Sequence, residues 1–337
     1  MHPLADLLSA VGLSHPLTYS AIVVIASWLI LWRVESCLDR GLEGTALGTL
    51  MLPYCSGLGN LLFVLLILRD GGDTEEVVVN ALVNNVTNLT LLLGLPALIW
   101  GLVLIPRGTA KKAGSARRSR NGQLEQQLSR LSVLLTLCAV AFFTGAVWWL
   151  GRDGQLDATD GAVLIGLFLF WQCIQVFDTL KNNLQRNVRL GPMLIVDTAV
   201  VLASAWLLYE SLEWIVGWLS SSRHPWFNAD QLGWLTGWLL VLPNALVALF
   251  YAARRRADIV YSSQVGDGHI CIPLCLGLCA VATPIPVPPI LEPALWLLLG
   301  TTAVHVVSLL LFGRLPRLFA AALVLAYGWF VYTGMLA

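Results

Sequence analysis

Ten apolar stretches, each long enough to cross a bilayer, recur from one end of this chain to the other. They fall near 17–38, 44–68, 76–104, 130–150, 160–181, 191–219, 231–253, 259–281, 291–312 and 317–335. A spanning helix needs about 20 consecutive apolar residues. In hydrocarbon every backbone N–H and C=O must find its partner inside the structure, so single stretches of this length are helices. Charge supports the reading. Only 12% of the residues are charged, against about 25% in a soluble domain. The expected fold class is an all-α integral membrane protein. Its third and sixth spans are long enough to tilt or break.

The Lys and Arg residues orient these spans. With the N-terminus outside, seventeen of the twenty fall in inner loops: Arg33 and Arg40, the run from Arg107 to Arg130, Lys181 to Arg189, Arg254 to Arg256, and Arg314 with Arg317. Arg69, Arg152 and Arg223 are left outside. Short-loop basic residues mark the cytoplasmic side, so ten spans with both termini outside are expected, in a bacterial inner membrane. Residues 1–16 read as an N-terminal interfacial segment without a cleavable signal pattern. The polar stretch 106–129 reads as a flexible cytoplasmic connector whose basic residues anchor topology, and membrane lipids are the expected neighbours.

The chain repeats itself. Glu35-Ser36 and Glu210-Ser211 stand in the first and sixth spans. Leu52-Pro53 and Leu242-Pro243 stand in the second and seventh. The third and eighth each carry a polar run ending in Leu-Gly-Leu, NALVNNVTNLTLLLGL at 80–95 and SQVGDGHICIPLCLGL at 263–278. The features keep their order, which divides the chain into a five-span repeat at 17–181 and a second at 191–337. Five is odd, so the second repeat is inverted in the membrane. Inverted repeats with polar, interrupted helices at matching positions point to alternating-access transport. Pro53, Pro243, Asn84, Asn88 and Asp267 lie roughly 12–18 Å into their spans, near the middle of a ~30 Å core. Prolines there remove a backbone hydrogen bond and are expected to kink the helix, freeing carbonyls to line a cavity.

These paired segments, 44–95 and 233–278, resemble those of the calcium/cation antiporter superfamily, which includes the sodium/calcium exchangers. The resemblance implies ten spans in two inverted repeats. Each repeat of that family carries a G-T-S-x-P-E motif and then G-S-N-x-x-N or G-S-x-x-x-D. Here Pro53 and Pro243 match the proline, while Tyr54 and Asn244 stand where the acid is expected. Asn84, Asn85 and Asn88 occupy the second motif of one repeat, and Asp267, Gly268 and Cys271 that of the other. The resemblance implies that Tyr54, Asn84, Asn85, Asn88, Asn244, Asp267 and Cys271 line a midplane site flanked by Pro53 and Pro243, with Asp267, Asn84 and Asn88 as the metal-ligating candidates.

Such a site carries one carboxylate. Calcium takes six to eight oxygens, commonly from several carboxylates, and an under-neutralised divalent ion is costly to bury. A monovalent cation, or a proton on Asp267, fits better. An ionisable residue inside the membrane is a functional candidate by default. The transported ion is therefore expected to be Na⁺ or another cation, or a small solute coupled to Na⁺ or H⁺, with no resident cofactor. Asn80, Asn84 and Asn88 recur every four residues and read as one amide stripe. Cys271, Cys275 and Cys279 do the same in line with Asp267. Thiolates favour soft metals, so a Zn²⁺-type transporter with Cys55 as a partner is one alternative, and close helix packing by small residues is the plainer account. A non-transporting binding protein on the same scaffold is another. Soluble-enzyme motifs such as G-x-x-x-x-G-K-[ST] and H-E-x-x-H are absent, and nothing outside the one basic loop favours nucleic acid.

Overall fold

The computed structural model describes residues 3–37, 54, 57–104, 116–182 and 193–336. It is helical nearly throughout, as long apolar segments require. A short helix α1 (Pro3–Ala10) precedes α2 (Pro16–Cys37), which starts on a proline, where the missing N–H costs nothing. Then come α3 (Leu58–Asp70), α4 (Glu75–Val86), α5 (Leu92–Ile99), α6 (Ala116–Leu150), α7 (Ala158–Asn182) and α8 (Met193–Ser221). The second half holds α9 (Leu232–Ala253), α10 (Ala257–Ile270), α11 (Leu276–Ala282), α12 (Leu291–Phe312) and α13 (Arg317–Val331). Gly71 and Gly313 close α3 and α12 with φ of 66° and 64°, left-handed values that glycine adopts without a steric penalty.

Among the described residues nine helical segments are long and apolar enough to cross a membrane. Residues 44–53, 55 and 56 of the expected second span lie outside the described residues. The end of that span is α3.

One expectation changes. The stretch 116–129 is not a loop: α6 begins at Ala116 and runs on into the fourth span. Its Arg, Gln, Glu and Leu residues are strong helix formers. Pro243 lies inside a continuous helix, α9. The interruptions fall elsewhere. Between α4 and α5 the backbone widens into a π segment, Thr87–Leu91, and between α10 and α11 into another, Cys271–Cys275. They begin at the eighth residue of the run 80–95 and the ninth of the run 263–278. The two polar runs thus share a backbone feature at nearly the same position. These two interrupted spans are also the most enclosed, with 78% of each buried, against 44% or less in the other seven.

Two compact units share the chain. The first comprises Met1–Asn84, Leu150–Pro243 and His269–Pro289. Here α2 packs along α8, with the Tyr19 ring stacked 4.0 Å from that of Trp214. Arg33 reaches Asp197 at 3.4 Å. Helix α9 lies against α4 at Gly233 and Gly237, where a Cβ would stand 2.6 Å from the Glu76 carbonyl oxygen and 2.9 Å from the Val83 Cβ. Small residues four apart let two membrane helices approach this closely. A two-residue ladder pairs β1 (Gln155–Leu156) with β2 (Ile285–Pro286).

The second unit comprises Asn85–Trp149, Asn244–Gly268 and Ile290–Ala337. In it α5 packs on α13, with Gly94 3.0 Å from the Ala320 carbonyl oxygen by the same measure. The Trp148 and Trp296 rings meet edge to face at 5.6 Å. Arg130 donates to the Leu310 carbonyl at 2.7 Å.

Candidate functional site

Two buried asparagines of the second unit converge on one carboxylate. Asp267 sits near the C-terminal end of α10 and is 1% exposed. Nδ2 of Asn88, in the first π segment, donates to Asp267 Oδ2 at 3.1 Å. Nδ2 of Asn244, in α9, donates to the same oxygen at 3.1 Å. Both asparagines are buried. Because a carboxylate only accepts, the amide nitrogens must face it. Two converging donors compensate part of the cost of holding a charge away from water.

A second ring of groups holds this cluster in place. Gln264, one helical turn before Asp267, donates from Nε2 to the Asn244 carbonyl at 3.1 Å and to Ser263 Oγ at 2.8 Å. Asn85 is buried with its Oδ1 against Gly268, where a Cβ would stand 2.8 Å away. Any larger residue at position 268 would displace that amide. Thus Asn85, Asn88, Asn244 and Asp267, named from the sequence, belong to one unit, and three of them share an oxygen. Gln264 was missed there, although it lies in the same polar run three residues upstream.

The remaining candidates belong to the first unit. Asn84 is fully buried and donates to Asn60 Oδ1 at 3.4 Å. Asn80 donates to Thr236 Oγ1 at 3.0 Å. The amide stripe of the sequence is therefore a row whose members have different partners: Thr236 for Asn80, Asn60 for Asn84 and Asp267 for Asn88. Asn60 and Thr236 gave no signal in sequence, being single polar residues in apolar surroundings. Tyr54 packs edge to face on Phe168 at 5.8 Å. Pro53 and Cys55 lie outside the described residues. His269 meets the Trp171 ring at 5.1 Å. Cys271 and Cys275 are buried in the second π segment. Its wide turn shifts the helical phase on which their stripe with Asp267 depended. Among the described residues no group of three or more His, Cys, Asp or Glu side chains is placed to hold a metal ion.

Comparison with known proteins bears on this arrangement. Residues 17–177 and 198–336 match the family model described as sodium/calcium exchanger protein. Among solved structures, the H⁺/Ca²⁺ exchanger CAX is similar with a TM-score of 0.67 at 17% identity, covering 97% of this chain and 84% of that one. The sodium-calcium exchanger NCX_Mj, soaked with 10 mM Na⁺ and 10 mM Sr²⁺, gives a TM-score of 0.62 at 16% identity, covering 95% and 98%. At such identities the likeness is one of fold. No curated protein matches the chain in sequence.

Proposed function

The chain belongs to the sodium/calcium exchanger protein family, and on that premise we propose that it is a secondary transporter exchanging a monovalent cation, or protons, by alternating access. The observation that carries this reading is the convergence of two buried amides on one buried carboxylate, Asp267. A lone intramembrane acid with fixed donors is the form that an ion or proton carrier takes. Asp267 is the charge-compensating or proton-carrying group, and Asn88, Asn244 and Asn85 orient it and supply neutral oxygens.

The same reading sets calcium aside as the substrate. Asn244 follows Pro243 where the family motif has its acid, and Tyr54 follows Pro53. One carboxylate leaves a divalent ion half neutralised, and such a charge is costly to bury. Coupling is to Na⁺ or H⁺. The concentration of Lys and Arg in alternate loops supports a topology with both termini outside.

Flux in proteoliposomes under an imposed Na⁺ or pH gradient tests the proposal. Wild-type protein moves cations and Asp267→Asn does not. Equal flux in the two proteins overturns the role of Asp267.

A further inference from the structure

A π segment needs a cause, because i→i+5 turns are rare within an α-helix. In the second repeat the cause is covalent. Pro273 lies inside Cys271–Cys275, and its missing N–H cannot close an α turn. The first π segment, Thr87–Leu91, has no proline. Its wide turn is held by side chains. Thr90 Oγ1 donates to the Val86 carbonyl, and His305 Nε2 lies 2.8 Å from the Leu89 carbonyl oxygen.

That second contact joins two helices far apart in sequence. His305 stands in the middle of α12 and is fully buried. Its other ring nitrogen, Nδ1, is 3.2 Å from the Tyr261 hydroxyl. A carbonyl only accepts, so Nε2 carries the proton. Nδ1 of the neutral ring then accepts from Tyr261. The Leu89 carbonyl thus selects the tautomer, and Tyr261 complements it at Nδ1. Leu89 is the residue after Asn88, and Tyr261 lies on the same helix as Asp267. The imidazole therefore ties the backbone beside one member of the Asn88–Asp267 pair to the helix that carries the other.

We infer that His305 is a positioning residue for the proposed ion site: its Nε2–H holds the Leu89 carbonyl and so keeps the Asn88 amide on Asp267. The inference rests on the transport reading for its consequence and on geometry alone for its mechanism. A histidine that only fills space would tolerate an isosteric apolar residue without changing the ion affinity.

The test compares His305→Leu, His305→Gln and His305→Asn in proteoliposomes, each also combined with Asn88→Ala. A glutamine amide reaches the place of Nε2, and an asparagine amide reaches only that of Nδ1. His305→Leu and His305→Asn raise the KM for the transported cation about fivefold, the ratio of one net hydrogen bond, with the maximal rate little changed. His305→Gln restores the wild-type KM. In the Asn88→Ala background the three variants no longer differ. Should His305→Leu fail to fold, the Gln and Asn pair decides. Equal KM values in that pair, or an undiminished effect without Asn88, overturn the inference. If wild-type protein moves no cation, the transport reading fails by itself, and hydrogen exchange at residues 87–94 judges His305. Faster exchange there in His305→Asn than in His305→Gln upholds the clamp, and equal exchange overturns it.

Discussion

The side-chain nitrogen of Asn88 lies 3.1 Å from Oδ2 of Asp267, across 179 residues of sequence. Neither residue is exposed to solvent or lipid. Asn88→Ala removes one of the two amide donors described on that oxygen. Loss of a donor to a buried acceptor costs about 1–3 kcal/mol. Thermal unfolding in detergent should show Asn88→Ala destabilised by that order, with Asn244→Ala similar. A change below about 0.5 kcal/mol in both would mean that the carboxylate does not depend on these amides.

On the proposed reading, charge at the site decides which ion it holds. Asn244→Asp places a second carboxyl group where an amide now reaches Asp267 at 3.1 Å. Two like charges at that distance repel unless a cation lies between them. The variant should be less stable than wild type without divalent ions and should gain thermal stability on adding Ca²⁺. Wild type should gain none. A variant indifferent to Ca²⁺ would show that residue 244 does not face an ion position.

The contact between α4 and α9 depends on the absence of side chains. A Cβ on Gly233 would meet the Glu76 carbonyl at 2.6 Å, whereas one on Gly217 of α8 meets nothing within 4 Å. Overpacking of this kind costs typically 1–3 kcal/mol. In an open helix the same substitution gains about 0.5–1 kcal/mol. Gly233→Ala should lower the unfolding temperature, and Gly217→Ala should raise it slightly or leave it unchanged. The same sign for both would be inconsistent with the packing described.

How much of this is readable from sequence depends on the kind of interaction. The spans follow from apolar length alone, and the ninth, 291–312, coincides with α12. Asn88 and Asp267 stand out because polar groups inside a membrane are costly wherever they are, and a single chain reveals them. Their pairing partners do not stand out. Asn60, Thr236 and His305 are lone polar residues in apolar runs, and what faces them is set by helix packing. Proline was a poor guide to the interruptions. Pro243 sits within a continuous helix, while Thr87–Leu91 widens without a proline, held by Thr90 within it and by His305 at the Leu89 carbonyl from far along the chain.

At the end of α3, Arg69 donates to Asp70 at 2.7 and 3.0 Å and pairs with Glu213 at 2.7 Å. The hydrogen bond from Arg69 holds the Asp70 carboxyl below its ordinary value of 3.8. A depressed carboxylate contributes stability above its unfolded value and loses it as pH falls through the lower folded one. Arg69→Ala should therefore cost up to about 1 kcal/mol at pH 6. The gap to wild type should narrow below pH ~4, where unfolded carboxylates take up protons. A gap that widens on acidification would contradict the pairing.

On the proposed reading, a site with one carboxylate carries a singly charged ion on an exchanger scaffold. Parallel uptake of radioactive Na⁺ and Ca²⁺ into proteoliposomes, with protons followed by an internal dye, tests it most directly. The prediction is saturable Na⁺ or H⁺ exchange in wild type, abolished in Asp267→Asn, without saturable Ca²⁺ uptake. Saturable Ca²⁺ uptake at micromolar concentration by wild-type protein, lost in Asp267→Asn, would contradict it.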